Sequence, residues 1–233
     1  MKKIFFLLLI FGATLFSSCK KKLSCGDVAA PVVTSNSPVK KNDDLKLYAT
    51  ATASELGYYW TGPNNFSSTV QNPVIQGVSY DAAGTYKLII FSGDCPSSEV
   101  TMDIIVKPSC TPVNNSINYV NYFSDHTYTS CNGYVSSGHY TIGAYSFSGD
   151  IYFDFNTASE PTPGIYYIEN DPCNYCNASH VSMTLHGGGS LLYTQGGQLY
   201  VEKTGGKLMV TFCGMMVSNG SVSTTADGKL TAN

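Results

Sequence analysis

Apolar residues recur at every second position through most of this chain, and that two-residue period fixes the class of structure it can form. Leu45, Leu47 and Ala49 alternate with polar neighbours, as do Tyr58 and Trp60, then Tyr86, Leu88 and Ile90. Further on, the same spacing holds for Ile151, Phe153 and Phe155, for Val181, Met183 and Leu185, for Leu199 and Val201, and for Leu208, Val210 and Phe212. Side chains two residues apart lie on one face of an extended strand, so each set reads as a half-buried strand. Turn residues punctuate these runs at Pro63-Asn64-Asn65, Asp81-Ala82-Ala83-Gly84, Ser92-Gly93-Asp94 and Pro161-Thr162-Pro163-Gly164, and the Gly205-Gly206 pair reads as a hairpin. The expectation is an all-β protein. The 17 tyrosines and 22 glycines agree with strands and turns, and a charged fraction of 12% is half of the roughly 25% usual for soluble domains.

A length of 233 residues leaves room for two modest β-domains, each with its own core. Pro108-Ser109-Cys110-Thr111-Pro112 interrupts any ladder, because two prolines so close together remove its donors. The expected division is a first unit over 25–107, a linker over 108–112 and a second unit over 113–233. The second unit reads as an antiparallel sandwich or flattened barrel.

The amino terminus has the three-part layout of a secretory leader: Lys2 and Lys3, the apolar run Ile4 to Ala13, then small residues before Cys19. Phe16-Ser17-Ser18-Cys19 resembles the lipobox of bacterial lipoproteins, with Phe16 in place of the usual leucine. That resemblance implies a signal peptide over 1–18, acylation of Cys19 and a lipidated tether over 19–24. The acyl chains would each contribute about 0.8 kcal/mol per buried CH2, and Lys20, Lys21 and Lys22 would lie at the headgroups. The implied location is the cell envelope, at the outer membrane, with either face open.

Tyr58-Tyr59-Trp60-Thr61-Gly62-Pro63 resembles strand C of an immunoglobulin-like domain with its core tryptophan, and Gly84-Thr85-Tyr86 resembles the tyrosine corner. The first unit is thus similar to the immunoglobulin-like (PKD-like or Ig-like) modules of bacterial surface proteins. The resemblance makes Trp60, Tyr86 and Leu88 core residues, with Leu88 facing Leu47 or Ala49 where many relatives carry an inter-sheet disulfide. It also puts Cys25 and Cys95 at one end of the sandwich, which implies a bridge if their Cα atoms come within about 7 Å. The second unit resembles the β-rich domains of uncharacterised envelope lipoproteins.

Export allows disulfides. Cys110, Cys131, Cys173 and Cys176 are left to share bridges of open connectivity, and Cys213, inside the apolar run Met209 to Val217, is the expected buried free thiol. Cys173 and Cys176 with His180 and His186 invite a zinc reading, but two histidines six residues apart on one strand are separated by about 20 Å, so no metal is expected. His186-Gly187-Gly188-Gly189 resembles an oxyanion-hole motif, yet no G-x-S-x-G elbow accompanies it. Asp150 and Asp154 share a strand face about 13 Å apart, beyond the reach of a glycosidase pair. No catalytic residue and no cofactor are expected.

The formal charge of −3 offers no basic face for nucleic acid. The tyrosine surplus of the second unit does suggest a partner: Tyr140, Tyr145, Tyr152, Tyr166, Tyr167, Tyr175, Tyr193 and Tyr200 are too many for burial alone. Outward rings with polar tips suit sugars or proteins. The expected function is a membrane-anchored, non-enzymatic module binding glycan or envelope protein. A polysaccharide hydrolase and a purely structural spacer are the alternatives.

Overall fold

The computed structural model describes residues 28–52, 56–169, 178–187 and 190–233. Cys19, Cys25, Cys173, Cys176, the leader over 1–18 and the tether over 19–24 lie outside the described residues. The chain is all-β, and its described apolar residues gather in two cores, one drawn from Val39 to Val106 and the other from Ile117 to Ala232.

The first core lies between two sheets of an immunoglobulin-like sandwich. One contains Val32–Ser35, Leu45–Thr50 and Val74–Ile75; the other contains Phe66–Ser68, Leu56–Gly62, Gly84–Ser92, Cys95–Pro96 and Val100–Ile104. Val106–Lys107 adds a parallel pairing with Val39–Lys40. The alternation in the sequence is the alternation in space: Leu45, Leu47 and Ala49 are buried, and so are Tyr86, Leu88 and Ile90 on the facing sheet. Trp60 is fully buried and its Nε1 donates to the Gln71 carbonyl at 3.2 Å. The Tyr86 hydroxyl donates to the Ala82 carbonyl at 3.1 Å, closing the tyrosine corner. Gly62 is required beneath that ring, since a Cβ there would stand 2.6 Å from Tyr86 Cδ1.

The second core is wrapped by a single sheet. His180–Gly187 pairs along one edge with Gly149–Phe155, and along the other with Gly164–Glu169 in parallel and with Ser190–Thr194. Ser190–Thr194 also reaches Lys207–Ser218, which pairs through Gly197–Thr204 back to Gly164–Glu169. Between His180–Gly187 and Lys207–Ser218 the sheet thus splits, with Gly164–Glu169 and Gly197–Thr204 at one end of the gap and Ser190–Thr194 at the other. It curls into a flattened barrel where the Asn233 N–H, just past the Ser223–Thr231 strand, reaches the Cys131 carbonyl at 3.1 Å, and Phe153 and Phe212 meet in the core with ring centroids 5.9 Å apart. Ser223–Thr231, Ser116–Tyr119 and His126–Thr127 extend the sheet on one side, and His139–Ser146 and Ser130–Ser136 on the other.

The cysteines correct the sequence expectation. Cys213 is bridged to Cys110, with Cα atoms 5.7 Å apart, and among the described residues the free thiol is Cys131, buried in the second core. Cys213 follows the alternation of its strand, and the bulge comes after it. The register between Lys207–Ser218 and Ser223–Thr231 shifts between Phe212 and Met215, with Gly214 at φ +60°. Before the bulge Leu208, Val210 and Phe212 face the core; after it Met215 and Val217 do. As the residue after Phe212, Cys213 faces outward to the linker, and the extra residue brings Met215 and Val217 back to the core face. Cys131 keeps the inward parity of its strand, and burial pushes its thiol pKa up to about 11. Cys95 is disulfide-bonded.

Both units answer to denaturant tests. Gly62→Ala should destabilise the first unit by about 1 to 3 kcal/mol in urea unfolding, because Tyr86 has no room to retreat. Replacing Cys110 and Cys213 together by serine should cost about 2 to 5 kcal/mol. Alkylation of the native protein should leave Cys131 unlabelled, and labelling should appear only on unfolding.

Candidate functional site

The outer face of the second barrel follows from the inward parity of its core. In Gly149–Phe155, Ile151, Phe153 and Phe155 point in, so Asp150, Tyr152 and Asp154 point out. The neighbouring strands set Tyr134, Thr141, Gly143 and Tyr145 on one side and Thr184 and His186 on the other, with Gly143 opposite Tyr152 and Asp150 opposite both Tyr145 and His186.

Three rings converge where Gly143 has no side chain. A Cβ at Gly143 would lie 3.1 Å from Tyr145 Oη, 3.2 Å from Tyr152 Cδ1 and 3.4 Å from Tyr134 Cε1. Tyr145 meets Tyr152 edge to face, with centroids 5.4 Å apart, and the Tyr134 and Tyr145 hydroxyls are 3.3 Å from each other. The Tyr152 hydroxyl donates to Asp150 Oδ2 at 3.1 Å, while His186 Nδ1–H donates to Asp150 Oδ1 at 2.6 Å. Thr141 donates to Asp154. Tyr134 and Tyr145 nonetheless remain 37% and 36% exposed, so the cluster is a surface, braced from beneath and open above. Phe147, at the tip of the same hairpin, is wholly exposed.

The Tyr134 and Tyr152 hydroxyls are held in their neutral form. The hydrogen bond to Tyr145, then burial and the nearby charges of Tyr145 and Asp154, push the Tyr134 pKa up to about 12. Burial, followed by bonds to Tyr145 and Asp150, raises that of Tyr152 as well. Neutral hydroxyls both give and accept hydrogen bonds, and ionised Asp150 and Asp154 accept. Rings, hydroxyls and carboxylates side by side can pack against an apolar face and bond to the hydroxyls around it.

The other expected tyrosines are dispersed. Tyr166 is buried against Phe155, Tyr140 lies partly buried against the core, Tyr167 packs beside His180, and Tyr193 is exposed on Ser190–Thr194. Tyr175 lies outside the described residues. Tyr200 faces the first unit: it stacks on Tyr80 with centroids 5.8 Å apart, under the Lys107 ammonium at 5.6 Å. Lys41 sits 5.1 Å from the Tyr80 ring and donates to Gln198 Oε1 at 2.9 Å, and Lys107 pairs with Glu202. Beside this joint is a cleft of about 490 Å³ lined by Lys41, Tyr80, Gln198, Met215 and Asp227.

Tyr134 and Gly143 were not singled out by sequence, although a glycine inside the run His139–Ser146 is the usual mark of close approach. His180 and His186 do not converge: each pairs with its own carboxylate, Glu169 at 3.2 Å and Asp150 at 2.6 Å. Among the described residues no group of three or more His, Cys, Asp or Glu could hold a metal ion, and no helix is long and apolar enough to cross a membrane. Gly188 and Gly189 of the glycine run lie outside the described residues.

No family model matches the chain, and no curated protein matches it. Similar solved structures include a chain in a complex of a mouse coronavirus receptor-binding domain with its murine receptor, 14% identical, covering 88% of this chain and 96% of that one at a TM-score of 0.32. Murine CEACAM1b is 13% identical over 88% of this chain and 99% of that one, at a TM-score of 0.29. A chain from the complex of Dpr2 Ig1-Ig2 with DIP-Theta Ig1-Ig3 is 14% identical over 87% and 65%, at 0.27.

The tyrosine cluster can be read directly by absorbance titration. Tyr145→Phe removes the main cause of the Tyr134 shift, so the Tyr134 transition should fall from about 12 toward the ordinary value near 10. A transition that does not move would show that the two hydroxyls are not bonded in solution.

Proposed function

We propose that this protein is a lipid-anchored module of the bacterial cell envelope, sited at the outer membrane, that binds neutral glycan without catalysing its breakdown. The observation that carries this reading is the convergence of Tyr134, Tyr145 and Tyr152 over Gly143, rimmed by the Asp150 and Asp154 carboxylates. A sugar ring has an apolar C–H face and a girdle of hydroxyls. Tyrosine faces take the first, and carboxylates and phenols take the second.

Charge supports a neutral ligand. From His126 to Gly149 the chain carries no Asp, Glu, Lys or Arg, so the charges at the cluster are the Asp150 and Asp154 carboxylates, which disfavour an anion. Asp150 and Asp154 are already committed to Tyr152, His186 and Thr141, which favours recognition over hydrolysis. The leader-like residues before Cys19 support anchoring, and the first unit, held to the barrel through Tyr80, Tyr200, Lys41 and Lys107, would serve as the spacer between lipid and site.

The test is a screen of the full-length protein on an array of neutral glycans, with Tyr145→Ala and Tyr152→Ala beside it. Loss of a stacking ring worth about 0.5 to 1.5 kcal/mol should weaken the retained ligand by about 2- to 13-fold. Unchanged retention in both variants would remove the tyrosine surface as the site. Mass analysis of the amino-terminal peptide should find acyl groups on Cys19, and an unmodified cysteine there would end the anchoring proposal.

A further inference from the structure

A sheet that ends in a bare strand presents unpaired N–H and C=O groups, and proteins ordinarily shorten, charge or cover such an edge. Among the described residues most terminal strands are so managed. Val32–Ser35, Phe66–Ser68, Val74–Ile75, Cys95–Pro96 and His126–Thr127 have four residues or fewer, and Val100–Ile104 carries Asp103. Ser130–Ser136 is different. It has seven residues, pairs on one side with His139–Ser146, and stands last in the barrel sheet. It holds no charge and no proline, and Tyr134 and Val135 on it are 37% and 56% exposed.

The open edge has a definite pattern. Asn233 N–H donates to the Cys131 carbonyl at 3.1 Å, so Cys131 directs its main chain away from His139–Ser146. In an antiparallel ladder this direction alternates, and Gly133 and Val135 therefore also point their N–H and C=O outward. Among the described residues, Asn233 covers Cys131, and the outward main-chain groups of Gly133 and Val135 take no hydrogen bond.

We infer that this edge is the contact between two copies of the chain, which pair their Ser130–Ser136 strands antiparallel about a two-fold axis at Tyr134. In that register Gly133 of one copy bonds with Val135 of the other on both sides of the axis, giving about four main-chain hydrogen bonds. Val135 then lies opposite a residue that has no side chain. Asn132 faces Ser136, and the two Tyr134 rings become cross-strand neighbours on the outer face.

A second copy is the occupant that the charge pattern selects. Contacts about a two-fold axis bring each residue near its own duplicate, so any charge at the edge meets a like charge. Neither the edge strand nor His139–Ser146 beside it carries Asp, Glu, Lys or Arg, and Asp154, the carboxylate that acts on Tyr134, lies two strands in and is bonded to Thr141. The pairing also joins the two tyrosine surfaces into one continuous face, because Tyr134 belongs at once to the edge and to the cluster over Gly143. It stands whether or not that face binds glycan.

Light scattering on the full-length protein in detergent, with the detergent mass subtracted, should give twice the mass of one chain. Val135→Lys, at an exposed position, should halve that mass while leaving the thermal transition in place. Tyr134→Cys should form an intermolecular disulfide under mild oxidation, since the paired residues adjoin the axis. A wild-type chain that is monomeric at every concentration overturns the inference. So does a dimer that survives Val135→Lys, or a Tyr134→Cys variant that gives no cross-link while its mass remains that of a dimer.

Discussion

One-sided burial governs the second unit. A single sheet wraps one core, so each strand can bury only alternate residues, and the identity of the inward set determines the outward set. Ile142 and Ala144 face in, which leaves Gly143 and Tyr145 outside; Ile151 and Phe153 face in, which leaves Asp150 and Tyr152 outside. The tyrosine surface is therefore fixed by the packing of residues that it never touches. Slipping any one of these strands by a single position would put phenols and carboxylates into the core.

The same rule explains the bulge at Phe212 to Met215. A long strand that runs from Leu208 to Val217 has to serve two neighbours, Gly197–Thr204 at its start and Ser190–Thr194 at its end. An inserted residue, with Gly214 at positive φ and its N–H bonded to Asp227 Oδ1 at 2.6 Å, resets the parity between them. Cys213, just before the inserted residue, lies on the outward side of the strand and meets Cys110 in the Pro108 to Pro112 segment. What reads as a linker in sequence is consequently tied to the barrel. The Tyr80 and Tyr200 stack and the two lysines beside it hold the units on the far side of that tie.

Much of this was legible in the residues. Trp60, Tyr86 and the turn at Gly205-Gly206 depend on local patterns with few alternatives, and each stands in the structure where those patterns put it. The cysteines were not legible in the same way. The apolar run from Met209 to Val217 reads as buried throughout, although alternation from Leu208, Val210 and Phe212 turns Cys213 outward, and only the structure shows Cys110 standing there to meet it. Tyr134 was hidden for a related reason: its importance comes from Tyr145 and Tyr152, which lie on different strands, and only the register brings the three together. Gly143 was the available clue. A glycine between Ile142 and Ala144 weakens a strand unless something else needs its space.

Low charge links these features to what the surface can do. A chain with 12% charged residues has little long-range field, so its encounters are not accelerated by steering and depend little on salt. Affinity must come from contact area and from hydrogen bonds fixed in advance. The cluster meets that demand, because its rings brace one another and its phenols are bonded before any ligand arrives, so little side-chain entropy remains to be lost on binding. One such surface of three rings gives only modest affinity. Two of them side by side at a membrane would turn the second contact into an intramolecular one, and the gain would come from effective concentration without any new kind of contact. An uncharged edge and a sparsely charged outer face are then two consequences of the same composition.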